Sequence, residues 1–195
     1  MVNNKFFMTY IIAGVPRAGK SILAKRLAKY LGVSNINFDD ITLLFENAVP
    51  DYGLKMIMDQ ETREKLCLPL VETLIKTYFL RKECLIIDGD HFRVYDFDKY
   101  KKMTNGNVKM VFLGYSNLQI EEKININQHT SNIETDWFNQ IEDYNQKQKT
   151  ASEFIERSKK IEKEVVETND EEIRYYNTHD FFDTTLETAF NFLIS

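Results

Sequence analysis

A chain of 195 residues is long enough for one domain with a single sizeable core and room for a small inserted lid. Its 43% hydrophobic and 13% aromatic content excludes a disordered chain, and a net charge of −5 without a dense Lys/Arg block argues against nucleic acid or an anionic membrane as partner. Cys67 and Cys84 have neither metal-ligand nor disulfide spacing, no secretory leader is recognised and no apolar run reaches membrane-span length. A cytoplasmic protein with reduced cysteines is the expectation.

Strand-like and helix-like segments alternate, the pattern of a parallel sheet flanked by helices. A strand at 6–13 runs into Gly14-Val15-Pro16-Arg17-Ala18-Gly19-Lys20-Ser21, which fits G-x-x-x-x-G-K-[ST]. A helix over 19–31 follows, with Ile22, Leu23, Leu27, Tyr30 and Leu31 on one face and Gly32 as its stop. Next come a strand at 35–38, a helix at 40–47, a turn from Pro50 to Gly53, and a long helix at 59–81 that Pro69 should kink or divide. A strand at 83–88 and a turn at 104–107 lead to a strand at 108–114. Polar helices are expected at 117–129, 136–147 and 151–168, then a strand at 172–177 and a helix at 184–194. Residues 128–152 read as a lid, or as a solvated helical hairpin. Trp137 within them reads as a packing residue.

Strand, glycine loop and helix together make a phosphate site. The glycines let successive backbone N–H groups face one hollow, the helix start adds partial positive charge, and Lys20 adds a full one. Ser21 would place its hydroxyl on magnesium. The strand Cys84–Asp88 ends in a carboxylate suited to hold a magnesium-bound water. No Glu follows Asp88 directly, which leans towards transfer to a small acceptor rather than water activation. Asp39 and Asp40 follow the second strand. One is read as a base or orienter for an acceptor hydroxyl and the other as a helix cap, with Asp39 first choice for the base. Asp90, His91 and Arg93 would line the acceptor side. Arg157, near Lys159 and Lys160, is either a phosphate-facing cation or one charge on a solvated helix. Thr178 after the last strand is either an adenine contact or part of a plain turn. The nucleotide-contacting set is thus Gly14, Val15, Pro16, Arg17, Ala18, Gly19, Lys20, Ser21, Ile22 and Thr178, with Lys20, Asp39, Asp40 and Arg157 as catalytic candidates.

The glycine loop, Asp39-Asp40 and Leu85–Asp90 resemble the small P-loop kinases, among them adenylate kinase, shikimate kinase, gluconate kinase and chloramphenicol phosphotransferase. Val111–Tyr115, Glu121-Glu122-Lys123, Asp136-Trp137 and Phe154–Lys160 resemble bacterial "AAA family ATPase" kinases more closely. The resemblance implies a three-layer α/β fold, with a five-stranded parallel sheet in the order 2-3-1-4-5 between helices and a helical lid. It implies ATP and Mg²⁺, with Asp88 acting on the metal through water and Asp39 as base. Two departures stand out. Residues 128–152 contain no Arg, and Asp88-Gly89-Asp90-His91-Phe92-Arg93 replaces the nucleotide-kinase pattern Asp-Gly-Phe-Pro-Arg.

The leading expectation is ATP-dependent phosphorylation of a hydroxyl on a small molecule. A nucleoside or nucleotide kinase is the alternative within that class, and an ATP-binding switch with little turnover is the alternative outside it. No Asn-Lys-x-Asp element of a GTPase occurs.

Overall fold

In the computed structural model the described residues are 7–130, 138, 140–179 and 182–195. Five strands form one sheet: β1 (Thr9–Gly14), β2 (Asn35–Asn37), β3 (Leu85–Asp88), β4 (Val108–Gly114) and β5 (Ile173–Asn177). All pairings are parallel and the order is β2-β3-β1-β4-β5, as expected. Every residue of β1 and β3 is buried, which is why these strands read as apolar runs rather than alternating ones. The register sets Ile12 and Asn37 on either side of Asp88, so three strand ends meet at that carboxylate.

Seven helices surround the sheet among the described residues: α1 (Lys20–Leu31), α2 (Phe38–Ala48), α3 (Gln60–Arg81), α4 (Phe97–Met103), α5 (Ile120–Thr130), α6 (Tyr144–Thr168) and α7 (Phe182–Ile194). α1 packs on β1 and β3, α7 on α1, β4 and β5, α6 on β4 and β5, and α4 on α3 and β4. No helix among the described residues is long and apolar enough to cross a membrane. Cys67 and Cys84 are free, and burial pushes the Cys67 thiol up to about 12, so it packs as a small apolar group.

Several expectations are corrected. The buried face of α1 is Leu23, Ala24, Leu27 and Ala28, while Ile22 and Tyr30 are exposed. A 3.6-residue period aligns 23, 24, 27 and 28, turns 22 to the opposite side and leaves 30 at the edge of the stripe. Pro69 does not divide α3. It is exposed, on the side of the helix away from the buried Cys67, Val71 and Ile75. The helices expected at 136–147 and 151–168 give way to one α6, capped by Asp143 accepting from the Gln146 N–H at 2.9 Å. No Gly or Pro interrupts it, and Ala151, Ile155, Ser158, Ile161 and Val165 make its buried stripe. The short α4 was not anticipated. It buries Phe97 and Tyr100 after a single 3₁₀ turn at Val94–Asp96. Of the expected lid, 131–137 and 139 lie outside the described residues, Asp136 and Trp137 included. Phe138 is buried with Ile124 and Ala151 in a small cluster between α5 and α6, a packed contact on which the lid and hairpin readings do not differ.

Candidate active site

The glycine loop is locked to the sheet by its backbone. Gly14 has φ +126°, and a Cβ there would sit 1.9 Å from the Leu113 carbonyl oxygen, so only glycine fits. Val15 N–H donates to that same carbonyl at 3.1 Å. The Tyr115 hydroxyl donates to the Pro16 carbonyl at 2.9 Å, tying the loop to the end of β4. Arg17 takes φ +65°, and Gly19 at φ +93° opens α1 without a side-chain cap. The leading N–H groups of α1 therefore have no side-chain acceptor of their own, the backbone arrangement suited to an anion. Lys20 Nζ donates across the loop to the Val15 carbonyl at 2.8 Å. Burial lowers its pKa, with Asp90 and Asp39 acting in the opposite direction. Ile22 spends its N–H on the Gly19 carbonyl at 3.1 Å, as an ordinary member of the helix.

Ser21 and Asp88 meet although 67 residues separate them. The Ser21 hydroxyl donates to Asp88 Oδ2 at 2.7 Å, and Asn35 Nδ2 donates to Oδ1 at 2.9 Å. Asp88 is 1% exposed, so these bonds compensate a buried carboxylate. Asn37 Nδ2 reaches Ser21 Oγ at 3.4 Å, and its Oδ1 accepts the Asp39 N–H at 2.8 Å. Asn37 is thus the cap of α2, which corrects the expectation that Asp39 or Asp40 caps it. Both aspartates lie in the first helical turn rather than on the strand. Asp39 is half-exposed, whereas Asp40 faces solvent.

Past the end of β3, a cluster of carboxylates and guanidiniums lies beside the loop. Asp90 Oδ1 is 3.6 Å from Arg63 Nη1 of α3, and Oδ2 is 3.8 Å from Arg157 Nη1 of α6. Arg157 Nη2 also donates to the Asp90 carbonyl and lies 3.8 Å from Glu64 Oε1. Arg93 Nε donates to Asp96 at 3.0 Å and lies 3.8 Å from Glu64. His91 is buried, with Nδ1 3.1 Å from Asp90 Oδ1 and Nε2 4.0 Å from Asp39 Oδ1. Burial pushes the His91 imidazole down to about 4, so it is neutral at pH 7. Burial raises the Asp39 carboxyl and the Asp90 charge raises it further. Burial also acts against ionisation of Asp90, but His91, Lys20, Arg157 and Arg63 outweigh it and hold that carboxyl below its usual range. One donor atom each from Asp39, Asp90 and His91 lie within 4.8 Å of one another, yet the two guanidiniums on Asp90 oppose a cation there.

The structure therefore brings together Lys20, Ser21, Asp39, Asp88, Asp90, His91 and Arg157 at one end of the sheet. Arg157 is a partly buried member of the cluster rather than a solvated surface charge, whereas Lys159 and Lys160 pair with Glu156 and Glu164 on the exposed side of α6. Thr178 is buried with its hydroxyl and N–H both on the Gly114 carbonyl, which fits the plain-turn reading. Sequence reasoning missed Asn35, Asn37 and Glu64, and also Lys123. The Lys123 ammonium is buried 3.6 Å above the Tyr115 ring. The Asn-x-Asn alternation of β2 did carry a signal, because period two aims both amides at one face.

No family model matches the chain, and no curated protein matches it. Solved structures do. The chain is similar to a gluconokinase from Sinorhizobium meliloti 1021, with 15% identity over 97% of this chain and 93% of that one, at a TM-score of 0.58. It is similar to shikimate kinase from Bacteroides thetaiotaomicron, with 14% identity over 96% and 99% of the two chains, at a TM-score of 0.55. The fold is that of the small P-loop kinases. At such identities the likeness speaks for the architecture alone, and the chemistry has to come from this chain's own side chains.

Proposed function

We propose that the chain is an ATP-dependent phosphotransferase that phosphorylates a hydroxyl of a small molecule. The supporting observation is the position of Asp39, a half-exposed carboxylate with a raised pKa beside Lys20 and Asp90, next to the glycine loop. A base tuned upward and set beside a phosphate cradle suits a hydroxyl acceptor, because a phosphate acceptor needs no base. The gluconokinase and shikimate kinase names of the structural neighbours agree with that acceptor class.

In this reading the loop N–H groups and Lys20 hold the β- and γ-phosphates in line with the acceptor. The acceptor oxygen forms a bond to the γ-phosphorus while the bond to the β–γ bridging oxygen breaks, and ADP leaves with that electron pair. Asp39 receives the hydroxyl proton and returns it to solvent. Lys20 leaves the Val15 carbonyl to meet the phosphates. The residues present fit Mg²⁺: Ser21 offers a hydroxyl ligand, and Asp88, a buried carboxylate beside it, would hold a coordinated water. Bound there, the ion neutralises phosphate charge.

The reading is tested by ADP release from purified protein, with and without pools of polyols, amino alcohols, nucleosides and hydroxy acids. Stimulation by a pool is the expected result. Tight ATP binding with no stimulated turnover by any pool would favour the switch reading instead.

A further inference from the structure

The two arginines nearest the acceptor side reach it from helices far apart in sequence, Arg63 from α3 and Arg157 from α6. Converging guanidiniums of this kind make a clamp for a carboxylate or a phosphate. Here both already rest on one carboxylate of the chain itself. Asp90 presents Oδ1 to Arg63 at 3.6 Å and Oδ2 to Arg157 at 3.8 Å, and its backbone carbonyl takes the second Arg157 nitrogen. Glu64 lies against Arg157 and Arg93, and Asp96 takes Arg93. The side chains of Asp90, Arg63 and Arg157 are 13%, 15% and 20% exposed, so solvent and salt screen these pairs weakly. Asp39 is the most exposed charge of the cluster, and its one neighbour within ion-pair distance among the described residues is the buried His91. The charge an acceptor would meet is therefore negative.

We propose that Asp90 is a built-in counter-anion that occupies the Arg63–Arg157 clamp, so that the acceptor site takes uncharged or amine-bearing hydroxyl compounds and turns away carboxylates and phosphates. This rests on the phosphotransferase reading and names its substrate class. A carboxylate-bearing acceptor could use the clamp only by displacing Asp90, which would leave a partly buried carboxylate without its partners. An alcohol or an ammonium group meets no such conflict and finds an acceptor in Asp39.

The test uses malonate as a small anionic probe, with the glycine loop saturated by MgADP so that the loop cannot take it. Binding is read by calorimetry and by the shift of the thermal midpoint. Wild type should bind malonate more weakly than 10 mM, taking as the yardstick that a millimolar Kd corresponds to only about −4 kcal/mol. Asp90→Asn and Asp90→Ala should each bind it at least about tenfold more tightly, a change of about 1.4 kcal/mol. Two variants are used because alanine leaves both guanidiniums bare, whereas asparagine keeps the shape and a carbonyl. Submillimolar malonate binding by wild type overturns the proposal, and so does the absence of any gain in a folded variant. If neither variant folds, wild type still decides through the acceptor pools: turnover stimulated by hydroxy acids but not by polyols or amino alcohols overturns it. Failure of every pool would instead sink the phosphotransferase reading, while leaving the malonate result to stand or fall by itself.

Discussion

The glycine loop and the charged cluster beyond β3 share one sheet end but are assembled differently. The loop is eight contiguous residues held mainly by backbone: Gly14 against the Leu113 carbonyl, Gly19 at the head of α1, and Lys20 folded back onto Val15. The cluster is made of side chains from α2, α3, α6 and the segment after β3, and it holds together only when those elements have packed. A backbone cradle recognises what all triphosphates share. A side-chain cluster depends on each residue type, so selectivity belongs to it, and single substitutions should separate the two halves.

Asp39→Asn should have the largest effect. Turnover should fall about 10²–10⁴-fold, the usual contribution of a positioned base, while the Kd for ATP stays the same. Asp40→Asn, a change at a solvent-exposed side chain, should stay within about threefold. Steady-state kinetics with a separate ATP titration reads both, and equal losses would erase the distinction between the two aspartates. Lys20→Ala breaks the other half. It should cost about 10²–10³-fold in turnover and also weaken ATP binding, because it removes charge from the phosphate cradle.

The pH profile refines the comparison. Burial and the Asp90 charge raise the Asp39 pKa, and a base works only when deprotonated. The acid limb of the activity profile should therefore lie at a higher pH than an unperturbed aspartate would give. Asp90→Asn removes a neighbouring negative charge, so the acid limb should move to lower pH. A limb that stays put would dissociate Asp90 from the base.

The weakest effect on turnover is expected at Lys123. Burial, helped by Arg17 and Lys20, brings its pKa from 10.5 down to about 7. Between those values the unfolded chain binds more protons than the folded one, so stability should rise with pH from about 7 towards 10. Lys123→Met should flatten that slope, which cannot exceed about 1.4 kcal/mol per pH unit for one group. Denaturant titrations at several pH values read it.

The strand order, which is not local, came from the resemblance to the small P-loop kinases. The glycine loop was legible because its determinants are local: an apolar run, two glycines at fixed spacing and a lysine. Asp88 was legible for the same reason, as the polar end of a buried strand. The role of Asn37 was not, because it depends on the register that puts β2 beside Asp88. Glu64 was not singled out, because only the packing of α6 brings Arg157 to it. The α1 face was misread where exposed Ile22 and Tyr30 mimicked core residues. The split of α6 was misread because polar composition resembles a loop when the stripe of small residues Ala151 and Ser158 is discounted.

The most direct test of the two-half site is the fate of the γ-phosphoryl group in a single turnover with labelled ATP and a stimulating acceptor pool. Wild type should move the label into a small-molecule phosphoester, and Asp39→Asn should bind ATP equally well but transfer at least about 10²-fold more slowly. Label released only as inorganic phosphate, at the same rate in both proteins, would contradict the account.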